Sequence, residues 1–201
     1  MAEVARSGFS FSWKKRAIFY IMLFGSVYTL VIQAINMQWQ LVFKGTFELN
    51  MMTIGWLYFG MSIFMLLGNQ LVMKFSEMGE KDEKERSVIL SQFFTCFGIT
   101  LAAFIPGIYA FSGGMMIHQV GRAMLEPLKK NYINERIERG KLRATINSLG
   151  SMLTKIGAFI GLLLSGYLAE NYSITLAWRV SAIIFIIAIP SFLTFNYKDR
   201  K

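Results

Sequence analysis

The chain has 201 residues, 54 % of them apolar, with a mean hydropathy of +0.45 and a formal net charge of +9. Because the apolar residues come in long blocks and exceed what a soluble domain of this size carries, the solvent of the fold is lipid. The positive charge does not point to nucleic acid, since it flanks apolar blocks and forms no continuous basic groove, and the single cysteine, Cys96, excludes a disulfide framework or a cysteine metal site within one chain.

Residues 1–16 form a basic N-terminal segment carrying Arg6, Lys14, Lys15 and Arg16. The block that follows, Ala17 to Ile35, has the flanks of a signal peptide but is longer than a signal core, and no small-x-small cleavage site follows it, so it reads as a retained span. A hydrocarbon layer of about 30 Å needs about twenty helical residues, and lipid tolerates no unsatisfied backbone groups. The blocks therefore predict six transmembrane helices over 17–40, 52–73, 87–105, 108–128, 144–169 and 174–195, with a tail over 196–201. The fold class is an all-α polytopic bundle. Three connections are short: Phe43 to Met51, Pro106-Gly107 and Glu170 to Ser173. Two are longer: Lys74 to Arg86 reads as a solvated loop, and Lys129 to Arg143, where Tyr132, Ile133 and Ile137 sit among polar residues, predicts a short helix on the membrane surface. Six spans divide into two groups of three, 17–105 and 108–195, one inverted relative to the other, as in nested transporter repeats.

Seventeen of the twenty-one Lys and Arg residues fall in the N-terminal segment, the two longer gaps and the tail; only Lys44 lies in an opposite gap. Lys and Arg near span ends stay in the cytoplasm during insertion, so both termini are expected on the cytosolic side of the cytoplasmic (inner) membrane.

Ionisable groups inside the spans are costly, which makes them the first candidates for function. In the fourth span His118, Arg122 and Glu126 recur every four residues along one face. Arg122 and Glu126 are expected to form an ion pair or gate near the cytosolic edge, with Pro127 ending the buried part of the helix. Lys155 falls near the middle of the fifth span, where it must face a wet cavity or an acid on another helix. Arg179, beside Trp178, reads as an interfacial anchor. In the first span Thr29, Gln33, Asn36 and Gln40 follow helical spacing and form a polar stripe that faces either a bundle interior or water. Gly157, Gly161 and Ser165 make a small-residue edge suited to close helix packing. With one histidine, no paired carboxylates within a span and no phosphate-binding glycine loop, the sequence predicts no enzyme, no metal site and no cofactor.

The runs Gly121-Arg122 through Pro127, Asn131-Tyr132-Ile133-Asn134 and Arg143-Ala144-Thr145-Ile146-Asn147-Ser148-Leu149 resemble the tenth and eleventh helices of bacterial major facilitator superfamily transporters, drug-efflux-like members above all. Trp39-Gln40 resembles the outer end of that family's seventh helix. The resemblance runs from about Lys15 to Tyr197 and implies the C-terminal half of a twelve-helix fold, in which solute is held between two six-helix halves. The loop expected between the eighth and ninth helices is degenerate, keeping Gly68, Lys74 and Gly79 without the Asp-Arg between them. On this reading the substrate face comprises Gln33, Asn36, Gln40, His118, Arg122 and Lys155. The implied partners are the lipid bilayer, a small-molecule substrate, and either an N-terminal six-helix half or a second copy. The alternative from a different class is a truncated or scaffold-only membrane protein.

Overall fold

A computed structural model describes residues 16–77, 81–135, 137 and 140–198. The expected N-terminal segment before Arg16, the end of the tail, Gly79 and the basic residues Arg136 and Arg139 lie outside the described residues. Six helices account for nearly everything else: α1 (Arg16–Gly45), α2 (Met51–Glu77), α3 (Lys81–Phe104), α4 (Ile108–Glu135), α5 (Gly140–Asn171) and α6 (Ile174–Lys198). The shortest has 24 residues and the longest 32, which at about 1.5 Å per residue is enough to cross hydrocarbon. Segments of α1, α2, α3 and α5 are long and apolar enough to span a membrane, and α6 contributes the shorter apolar run Ile174–Pro190.

Two connections differ from expectation for one reason: the helices outrun their apolar blocks. α2 reaches Glu77 and α3 starts at Lys81, so little of the expected solvated loop is left. α4 passes Pro127 without stopping and runs to Glu135. Tyr132 and Ile133, expected on a separate surface helix, are instead buried on this extension, as is Ile137 just beyond it. Burial of those apolar side chains outweighs the one backbone bond that Pro127 removes.

The short turns are capped locally. Asn50 Oδ1 accepts from the Thr53 backbone N–H at 2.8 Å, and Ser173 Oγ accepts from that of Leu176 at 3.0 Å, N-capping α2 and α6. Gly107 takes the left-handed backbone that the tight α3–α4 turn requires, with φ of 111°.

The packing is not sequential. α3 and α2 pack on α4, whereas α5 and α6 pack on α1, and α3 meets α6. Exchanging α1 with α4, α2 with α5 and α3 with α6 reproduces this pattern of neighbours, so the two groups of three are related by a pseudo-twofold and each lends its first helix to the other. Backbones approach closely through small residues. Gly98 of α3 lies against Gly114 and His118 of α4, and Gly157 and Gly161 of α5 lie on the Ser26 and Leu30 backbone of α1. At one end an aromatic cluster closes the core: Phe111 stacks on Trp178 at 4.9 Å between centroids and takes Phe43 edge-on at 4.8 Å.

Candidate functional site

α1 and α4 keep their backbones apart and meet through side chains, Phe111 on Phe43 and Lys129 over Gly25. A polar link crosses the seam between them, in which Arg122 Nη1 donates to Asn36 Oδ1 at 3.0 Å. On either side of this seam lie α2 and α5, whose apolar segments are only 17 % buried, against 56 % for α1 and 44 % for α3. Both helices expose large apolar groups, among them Phe59 and Leu66 of α2 and Phe159 and Leu163 of α5.

The polar stripe of α1 divides. Asn36 holds Arg122; Gln33 is half-buried; Gln40 is exposed and borders a cavity of about 340 Å³ with Trp39, Lys44, Ile54 and Tyr58. Thr29 turns the other way, onto α5, where its hydroxyl donates to the Thr154 carbonyl at 2.8 Å. Ser26 does the same one turn earlier, to the Leu153 carbonyl at 2.8 Å. Gly157, Gly161 and Ser165 lie on this α1–α5 contact: the glycines leave no room for a Cβ against Ser26 and Leu30, and the Ser165 carbonyl accepts from Gln38 Nε2 at 3.1 Å. Gln38 completes a clamp by accepting from Trp178 Nε1 at 3.1 Å, which ties α1 to α5 and α6.

The expected Arg122–Glu126 ion pair is not formed. Arg122 reaches across to Asn36, and Glu126 instead pairs with Lys129 one turn further on, at 2.5 Å. An i, i+3 partner on its own helix satisfies the carboxylate without drawing the guanidinium from the seam. His118 is fully buried at the α3–α4 contact beside Gly98, and neither ring nitrogen has a hydrogen-bond partner. It is absent from the lining of the cavities described here. Lys155 is exposed, and no carboxylate lies within ion-pair range of it among the described residues. It stands at the middle of α5 and lines a recess of about 270 Å³ with Glu126, Lys129, Lys130 and Asn147. Arg179 sits at the opposite end, its Nε donating to the Ala103 carbonyl at 3.2 Å and its guanidinium over the Phe104 ring.

Gln38, Ser26 and Lys129 were not singled out by sequence reasoning. Gln38 lies about 200° around the helix from Asn36 at 100° per residue, off the stripe that drew attention. Its signal was spacing of another kind, a small-residue edge on α5 that needs a polar partner where it ends in Ser165.

An all-α bundle of six long helices with apolar exposed surfaces and polar and cationic groups along the α1–α4 seam defines a multi-pass membrane protein. The chain belongs to the Major Facilitator Superfamily, whose family model matches residues 15–201. Among solved structures its fold is similar to the POT family transporter PepTSo, seen in an in meso crystal structure, with a TM-score of 0.77 and 14 % identity over 90 % of this chain. The matched part is 37 % of that transporter's length. No curated protein matches the chain.

Proposed function

We propose that the chain acts as one six-helix half of a secondary transporter that moves a small organic solute by alternating access across the cytoplasmic membrane. The observation that carries this reading is the seam of α1 and α4: Arg122, Asn36, Gln33 and Gln40 lie between two exposed apolar flanks, the arrangement needed for a second bundle to close over a polar path. Left facing lipid, a charge within a span costs up to roughly 2.5–3.5 kcal/mol on insertion scales at a helix centre, and Lys155, at the middle of α5, adds a second. The second bundle is supplied by further chain, by another chain or by a second copy. Outward, proton-coupled movement follows from the likeness of Arg143 to Leu149 to drug-efflux-like helices. The protonated acid would come from the second bundle, because the only aspartates here, Asp82 and Asp199, lie in the expected cytosolic segments.

The test is reconstitution. The purified chain, cross-linked to establish whether it is a monomer or a pair, is placed in vesicles and challenged with a panel of labelled organic solutes under a proton gradient. Transport is expected only from assemblies that hold two six-helix bundles. A monomer that accumulates or expels solute overturns the half-transporter reading, and an inert two-bundle assembly supports a scaffold instead.

A further inference from the structure

Three ammonium groups and one carboxylate line the recess between α1, α4 and α5. The carboxylate is spent: Glu126 takes the ammonium of Lys129, which is itself buried, with Nζ seated over Gly25 of α1, where a Cβ would come within 3.3 Å of it. Lys130 and Lys155 then have no ion-pair partner among the described residues. Asn147 gives one amide hydrogen to Asn134 Oδ1 at 3.2 Å and keeps the other, and the Ser151 hydroxyl is uncommitted. The polar groups left over are thus two full positive charges and two neutral donors, a set suited to an acceptor that carries negative charge. Met22 and Ile133 make the apolar floor, and a volume of about 270 Å³ just below the roughly 300–1,000 Å³ of drug-sized pockets suits a compact ligand.

We propose that this recess binds the carboxylate or phosphate group of a small organic anion, the solute class carried by the assembly; the assignment of that solute as cargo rests on the transport reading above. The anion lies between Lys130 and Lys155, with Ser151 and Asn147 donating to it, while the Lys129–Glu126 pair holds the back of the recess open and polar. Lys155 contributes from α5 and Lys130 from α4, so an anion between them bridges two helices that otherwise touch little.

The experiment uses the whole chain in nanodiscs of phosphatidylcholine, titrated calorimetrically with inorganic phosphate and with succinate at constant ionic strength. Saturable binding of either anion is expected, weakened at least about tenfold by Lys130→Gln and by Lys155→Gln, and kept within about threefold by Lys155→Arg. In a second arm, discs containing phosphatidylglycerol are compared. Loss of the soluble-anion signal there, together with co-purification of phosphatidylglycerol that Lys155→Gln abolishes, identifies a lipid headgroup phosphate as the source of the same chemistry. The proposal is overturned if phosphate, succinate and phosphatidylglycerol all fail to engage, or if binding is indifferent to both glutamine variants. Anion binding by a chain that never transports in a two-bundle assembly would sink the transport reading and leave the site standing. Transport indifferent to both lysines would do the reverse.

Discussion

Removing the Gln38 side-chain amide by Gln38→Leu keeps the volume roughly constant while cutting the clamp that joins α1 to α5 and α6. Two bonds go. The bond to the Ser165 carbonyl is an ordinary interhelical one, worth about 0.6 kcal/mol in a membrane protein. The other leaves the Trp178 indole N–H, on a side chain only 2 % exposed, with no acceptor, at a cost of about 1–3 kcal/mol. The sum is about 2–4 kcal/mol, or between roughly thirty- and a thousandfold in the ratio of folded to unfolded chain, since about 1.4 kcal/mol is tenfold. The assay is reversible unfolding in mixed detergent micelles followed by near-UV circular dichroism, with Trp178→Phe completing a double-mutant cycle. In Trp178→Phe the indole is gone, so the additional effect of Gln38→Leu should shrink to the Ser165 term of about 0.6 kcal/mol. A Gln38→Leu variant within about 0.5 kcal/mol of the parent, or a cycle with no coupling, would refute the clamp as an energetic link.

Gly98→Ala would place a Cβ 2.5 Å from the Gly114 carbonyl oxygen and the His118 nitrogen, forcing α3 from α4, and should destabilise by about 1–3 kcal/mol; Gly166→Ala, with nothing within 4 Å, should be neutral or gain up to about 1 kcal/mol. Equal unfolding midpoints for the two would contradict the packing. Lys155→Cys in a Cys96→Ser background should react with a small polar thiol reagent, because the side chain opens on the recess, and failure to label would place it against lipid instead. Reporter fusions after Lys201 should be active on the cytosolic side and fusions within the Phe47–Asn50 turn on the outer side, as the distribution of Lys and Arg requires. An external C-terminus would reverse the topology.

The existence and order of the six helices were legible because lipid enforces one rule along the chain, long helices built on apolar blocks. Limits that depend on tertiary burial were not. Pro127 reads as a stop in isolation, yet the helix continues because Tyr132 and Ile133 find a buried surface beyond it. The site was legible as residue types and less so as partners. Helical spacing put Arg122 and Glu126 on one face but could not reveal that Asn36, 86 positions away, would take the guanidinium, nor that Lys129 would take the carboxylate. His118 looked like a member of the same polar row; the close approach of α3 at Gly98 buries it and keeps it out of the cavities lined by α4. Small-residue spacing carried further, since Gly157 and Gly161 admit a neighbouring backbone whichever helix supplies it.

The exchange of first helices between the two repeats sets a schedule for synthesis. α1 finds its main neighbours in α5 and α6, and the bond from Ser26 to Leu153 spans 127 positions. At about 5–20 residues per second the ribosome takes roughly 6–25 s to make that partner after α1 has emerged. Throughout that interval Ser26 and Gln38 lack their partner helices and Thr29 has only the Gly25 and Ser26 carbonyls of α1, while α2, α3 and α4 can already assemble with one another. Contacts around α4 are therefore available before those around α1, whose main neighbours are the last two helices to be made.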